Sequence, residues 1–251
     1  MKYINGIQVD ITDKCILNCI MCDQPKNVHN VFMDWEVWKR LVDDMDETSN
    51  NFFSFTLSVR GESMLHPMFS KFLEYLFNKK RKNNRIFRNF YIHTNANLMD
   101  EEKRCTIIQC AKLLKEPDFF KITCSLDAIS QKIYESIRIG GNFQVAVRNV
   151  RELIKLKFQQ RAERLAVDLQ FIVMQENFRE VEGFAEYWGS VFKKNNLSYI
   201  INSRHDGLIS ENTISFVVRH PVTPISLELH NRACELLGLK QINKKDLTGE
   251  F

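Results

Sequence analysis

Two hydrophobic periods alternate along this chain, and that alternation restricts its fold more than any other feature. Runs rich in aromatic and β-branched residues, spaced as strands, lie near Ile4 to Thr12, Phe52 to Val59, Ile86 to Thr94, Phe119 to Leu126, Ala166 to Met174 and Leu197 to Asn202. Segments between them have helical spacing: Trp35, Trp38, Val42 and Met45; then Phe143, Val147, Val150, Ile154 and Phe158; then Phe178, Val181, Ala185, Trp188 and Phe192. Asp34 and Asp100 read as N-caps, and Asn177 followed by Glu180 reads as a capping box. Parallel strands need a crossover, which is usually a helix, so the pattern predicts βαβ units around a parallel sheet, an α/β fold of six strands. The rhythm weakens after residue 203. A strand-like stretch from Ile214 to His220 and a helix-like one from Leu227 to Leu237 predict that residues 204–251 form an appendage covering a core of residues 1–203.

With 251 residues, 44% hydrophobic and 26% charged, the chain is sized for one main core. It contains no apolar run of about 18 residues or more, and MKYINGIQVDITDKC lacks the segments of a signal peptide, so a soluble, cytoplasmic protein is expected. A formal charge of +4 is compatible with a nucleic-acid partner without arguing for one. The densest basic run, Lys79 to Arg88, reads as a solvated helix end. Seven cysteines, an odd number, fit reduced thiols better than a disulfide framework. Cys105, Cys110, Cys124 and Cys234 are scattered and read as packing residues.

The other three crowd into CILNCIMC, directly after the first strand-like run: Cys15, Cys19 and Cys22. Three thiolates suit a [4Fe-4S] cluster with one iron left open. They also suit a zinc site completed by a fourth ligand such as His29. CxxxCxxC in this position resembles the signature loop of the radical S-adenosylmethionine (SAM) superfamily. The resemblance implies a partial (β/α)6 parallel barrel with its chemistry at the C-terminal strand ends. It further implies one [4Fe-4S] cluster on Cys15, Cys19 and Cys22, whose open iron is chelated by SAM, and reductive cleavage of SAM to a hydrogen-abstracting 5′-deoxyadenosyl radical.

Further motifs follow in the family's order. VRGESMLHP resembles its glycine-glutamate element, with Gly61 allowing close backbone approach and Glu62 placed to accept from the ammonium group of SAM. HTNANL puts Thr94 and Asn95 after the third strand as SAM or substrate contacts, and CSLDA puts Ser125 and Asp127 after the fourth as SAM contacts. Arg138 matches an arginine that pairs with the SAM carboxylate in some relatives, while Val173 in FIVMQEN and Met21 beside the last cluster cysteine are placed to flank adenine. Three departures stand out: Met21 replaces a usual aromatic, Arg60 stands where relatives often have glycine, and Ala96 and Ala128 replace glycines. With only Cys234 in the C-terminal stretch, a single cluster is expected. Asn202, Arg204, His205 and Asp206, beyond the sixth strand, are candidates to orient substrate. The expected substrate is a peptide or small metabolite, sugars included, with an electron donor such as flavodoxin or ferredoxin as partner; neither a membrane nor nucleic acid is expected as a partner. Two rival classes remain open at this level: an inert SAM- or cluster-binding scaffold or sensor, and a zinc-stabilised nucleic-acid-binding module.

Overall fold

A computed structural model of the chain describes residues 3–22, 29–48, 51–57, 60–203, 211–218 and 224–242. Nine strands and seven α-helices lie among the described residues. In chain order they are β1 (Tyr3–Val9), β2 (Asn18–Cys19), α1 (Trp35–Glu47), β3 (Asn51–Leu57), α2 (Phe69–Lys82), β4 (Asn89–Thr94), α3 (Glu101–Lys112) and β5 (Phe119–Ser125). There follow α4 (Gln131–Ile137), β6 (Arg138–Ile139), α5 (Phe143–Gln159), β7 (Leu165–Val173), α6 (Val181–Lys194), β8 (Ile200–Asn202), β9 (Thr213–Val218) and α7 (Pro224–Leu236).

Seven of the strands form one wholly parallel sheet in the order β1-β3-β4-β5-β7-β9-β8. The α/β class and the parallel sheet are as the alternation predicts and the partial barrel is as the resemblance implies, with seven strands in the main sheet rather than six. One strand is placed differently: β9, read from sequence as part of an appendage, sits inside the sheet between β7 and β8. Strand character is local, but the choice of neighbour is not. Asp168 on β7 accepts hydrogen bonds from Thr213 and Ser215 of β9, which anchors that strand beside β7. The short β8 is left at the edge.

Along the central strands, successive side chains alternate between the helices and the interior of the half-barrel, as a period of two requires. On β4, Phe90 and Ile92 are fully buried in the core, whereas Tyr91 and His93 face a cavity. The core behind the sheet is aromatic. Trp38 of α1 stacks on Phe72 of α2 at 5.0 Å and donates its indole N–H to the Phe72 carbonyl at 3.1 Å. Phe77 meets Phe90 at 5.0 Å and Phe120 at 5.5 Å, and Phe90 meets Phe120 edge-on at 4.8 Å. Such pairs add directional attraction to area burial.

The basic run is less solvated than its composition implies. Lys79 pairs with Asp43 at 2.8 Å and Asp46 at 2.9 Å, and Lys80 is buried against Asp118 at 2.6 Å. Asp100 caps α3 by accepting from the Lys103 N–H, as expected, but Asp34 makes no side-chain cap at α1. Among the described residues no helix is long and apolar enough to cross a membrane. Phe77→Ala should cost roughly 3–5 kcal/mol, because it empties the centre of this aromatic layer; urea unfolding followed by tryptophan fluorescence measures the loss.

Candidate active site at the strand ends

A cavity of about 700 Å³ opens at the C-terminal ends of the strands. Cys15, Cys19, Met21 and Cys22 line it from one side, together with Gly61, Glu62, Asn95, Ser125 and Arg138. These nine residues, distant in the chain, come together around one cavity.

The cysteine loop is held in place from outside. The Glu62 N–H donates to the Lys14 carbonyl at 2.7 Å, one residue before Cys15. That approach needs glycine at 61, where φ is +66° and a Cβ would stand 2.6 Å from the Thr12 carbonyl oxygen. On the far side of the loop, β2 pairs antiparallel with β6, setting Cys19 opposite Arg138, and the Ile20 N–H donates to the Ile137 carbonyl at 2.9 Å. Within the loop, Cys15 Sγ accepts from the Leu17 N–H at 3.4 Å and from Asn95 Nδ2 at 3.9 Å. Cys15 and Cys22 are exposed and Cys19 is half-buried. Loss of water around the sulfurs holds the thiols of Cys15 and Cys19 above their ordinary range. The Leu17 N–H opposes this at Cys15, Arg138 opposes it at Cys19, and the neighbouring thiolates reinforce it at both.

Glu62 is 1% exposed, so its carboxylate must be satisfied by the protein. Oε1 accepts from the Met64 N–H at 3.2 Å and the Thr94 hydroxyl at 3.0 Å, and Oε2 accepts from the Asn95 N–H at 2.8 Å. Burial pushes this carboxyl above the usual carboxylate range, against those donors and the Arg138 charge. Thr94 therefore orients Glu62. Ser125 donates its hydroxyl to Gln170 Oε1 at 3.0 Å while lining the cavity.

Several expected roles change. Asp127 does not line the cavity: it is fully buried, takes an N–H from Ile172 at 2.7 Å and forms an ion pair with Arg138. Val173 points into the core, and its neighbour Ile172 lines the cavity instead, because adjacent strand residues face opposite ways. Asn177 and Glu180 form no capping box. Asn177 donates to the Asp127 carbonyl at 2.9 Å and the Ile172 carbonyl at 2.8 Å, and Glu180 accepts from the Ile129 N–H at 2.8 Å and the Ser130 N–H at 3.3 Å. Of the two alanines in glycine positions, Ala96 does adopt a left-handed φ of 61°, but at the other element that conformation falls on Asp127, with φ 60°. Asn202 ends the edge strand β8, outside the cavity lining. Arg204, His205 and Asp206 lie outside the described residues. His66 settles a turn, accepting from the Met68 N–H at Nδ1 and donating from Nε2 to the Met33 carbonyl. Sequence reasoning missed Gln8, Ser54, Thr56, Tyr91, His93 and Gln170, which line the deeper part of the cavity. Their signal was present as the polar alternate residues of strands read only for their apolar ones.

Among the described residues, no group of three or more His, Cys, Asp and Glu is disposed to hold a single metal ion, and His29 lies exposed. The three thiols thus share no common point at which all would meet one ion. That arrangement is compatible with a [4Fe-4S] cluster, in which each thiolate binds its own iron rather than converging on a shared one. Three free thiols at the rim of one cavity, facing a buried carboxylate, therefore fit the cluster and an ammonium-bearing ligand.

A parallel half-barrel with a three-thiol loop at its strand ends defines the class: an α/β partial-barrel protein with its site at the mouth of the barrel. The model of the Radical SAM superfamily matches residues 9–187, and the chain belongs to that superfamily, whose cofactors are a [4Fe-4S] cluster and SAM. It is 24% identical over 159 residues to the GTP 3′,8-cyclase of Clostridium botulinum strain Hall, a match covering 62% of this chain and 45% of that protein. The GTP 3′,8-cyclase of Desulforamulus reducens is 25% identical over 160 residues, covering 62% and 44%. The matched region thus spans less than half of these relatives. In fold, the chain is similar to anSMEcpe with bound AdoMet, with TM-score 0.61, 17% identity and coverage of 96% of this chain and 63% of that one. It is likewise similar to Streptococcus suis SuiB bound to S-adenosylmethionine, with TM-score 0.62, 12% identity and coverage of 94% and 47%.

Gly61→Ala should cost roughly 2 kcal/mol or more through its left-handed backbone, and should drive Glu62 from the Lys14 carbonyl. A lowered melting temperature together with reduced iron uptake is the expected measurement.

Proposed function

We propose that this chain is a radical SAM enzyme that abstracts a hydrogen atom from a peptide or small-metabolite substrate, sugars included. The observation that carries this reading is the shared cavity of Cys15, Cys19, Cys22 and the buried Glu62 carboxylate. The three cysteines would hold one [4Fe-4S] cluster, with SAM in the adjoining rim. Together these groups, when bound, supply a 5′-deoxyadenosyl radical from the one-electron cleavage of SAM, leaving methionine.

Everything else is positioning by the chain. Glu62 has three donors fixing its two oxygens, and remaining acceptor capacity directed to the cavity it lines suits the ammonium of SAM. Arg138 offers N–H groups beyond those taken by Asp127 and Cys19, suited to a carboxylate. The hydroxyl of Ser125 and the amide of Asn95 suit ribose or carboxylate oxygens, while Met21 and Ile172 offer apolar surface to adenine. Deeper in, Gln8, Thr56, Tyr91, His93 and Gln170 supply hydrogen-bonding groups for a polar substrate. The exposure of Cys15 and Cys22 leaves the cluster loop open to an electron donor such as flavodoxin or ferredoxin.

The test is anaerobic reconstitution with iron and sulfide, followed by incubation with SAM and dithionite. About four irons per chain and formation of 5′-deoxyadenosine are expected, and Cys15→Ala, Cys19→Ala and Cys22→Ala should each abolish both. Bound zinc without iron would favour the nucleic-acid module, and a cluster without 5′-deoxyadenosine would favour the inert scaffold. Deuterated candidate substrates passing label into 5′-deoxyadenosine would name the substrate.

A pH dependence follows from Glu62. Its carboxyl is raised by burial and must be ionised to accept an ammonium, so affinity for SAM should fall as pH drops through a value above that of an ordinary glutamate. Below that value the loss should approach about tenfold per pH unit, one proton being taken up. Calorimetric titration of the holoprotein with SAM should show this slope, and Glu62→Gln should bind weakly without it.

A further inference from the structure

The middle cysteine of the loop has a contact unlike that of Cys15. Cys15 accepts from two neutral donors, the Leu17 N–H and the Asn95 amide. Cys19 instead takes a hydrogen bond from a cation: Nη1 of Arg138 lies 3.7 Å from its Sγ, and the β2–β6 ladder sets the two residues as direct partners. Arg138 is 6% exposed and Asp127, which grips its other terminal nitrogen, is 0% exposed. Asp127 is itself fixed, by the Ile172 N–H at 2.7 Å and, through its backbone carbonyl, by Asn177 Nδ2 at 2.9 Å. A cation is therefore held against one sulfur, with an anion one contact behind it, where water screens little.

We infer that Arg138 and Asp127 are positioning residues that set the reduction potential of the cluster, Arg138 raising it and Asp127 lowering it. The inference rests on the proposed function, because it needs a cluster on Cys19. Reduction adds an electron to a centre already carrying thiolate charge. A charge-assisted hydrogen bond to a ligand sulfur stabilises the reduced state, and a buried carboxylate nearby opposes it. The guanidinium keeps its proton at any working pH, so the influence of Arg138 is constant. Asp127 touches no sulfur and acts across the guanidinium, so its effect is the smaller of the two. The arrangement gives the chain a way to hold its cluster within reach of a donor protein while leaving Cys15 and Cys22 open on the surface.

The experiment is a redox titration of reconstituted holoprotein, followed by the electron paramagnetic resonance signal of the reduced cluster, with iron content measured on each sample. Arg138→Gln should move the midpoint to more negative potential, Arg138→Lys should move it the same way by less, and Asp127→Asn should move it to more positive potential. Opposite signs for Arg138→Gln and Asp127→Asn are not the result of a merely structural disturbance, which would lower cluster content in both. An unmoved midpoint at full iron content, or a shift of the wrong sign in either variant, overturns the inference. Where Arg138→Gln fails to hold iron, Arg138→Lys and Asp127→Asn decide the matter by the signs of their own shifts. Wild-type protein that takes up no cluster overturns the proposed function as well, whereas a normal cluster with unmoved potentials overturns this inference alone.

Discussion

Three buried carboxylates organise this half-barrel, because a buried charge must find donors and the donors lie on other elements. Glu62, after β3, takes the Thr94 hydroxyl and the Asn95 N–H at the end of β4. Asp127, after β5, takes the Ile172 N–H on β7 and the Arg138 guanidinium on β6. Asp168, in the middle of β7, takes the hydroxyls of Thr123 on β5 and of Thr213 and Ser215 on β9. Each carboxylate thus ties together parallel strands or their ends. Removing a donor would leave the anion without compensation, which is why these contacts are strict about register and loop path.

The same strands face two solvents. Toward the helices they present Phe55, Phe90, Phe120 and Phe171, all fully buried, and this layer holds the sheet against α1, α2 and α6. Toward the interior they present Gln8, Ser54, Thr56, His93 and Gln170 around open space. A closed barrel would fill that space with side chains. Here it remains a chamber beside the cysteine loop, so the site is a consequence of the strand period and of an unclosed sheet.

How much of the site was readable depended on whether its signal was local. Cys15, Cys19 and Cys22 declare themselves by spacing, and Gly61 and Glu62 by adjacency, and all five line one cavity. Val173 and Ile172 were exchanged because a motif fixes a segment but not the parity with which its strand enters the sheet. Asn177 and Glu180 have the spacing of a helix cap, yet the buried Asp127 carbonyl and the free backbone N–H groups at Ile129 and Ser130 claim their side chains. Asp127 was expected to touch a ligand and instead orients Arg138, a distinction visible only once β6 is seen beside the cysteine loop.

The amino-acid sequence by itself determined the class of fold, since alternating periods of about 2 and 3.6 residues admit little but strands joined by helical crossovers. It also determined the chemical character of the site, through three thiols in one short loop and the glycine-glutamate pair. Tertiary structure decided the rest: that β9 enters the sheet between β7 and β8, that Ile172 faces the cavity, and that a guanidinium rests on the sulfur of Cys19. Those outcomes turn on pairing between distant segments, where burial of charge and strand register are settled together and no local pattern carries the answer.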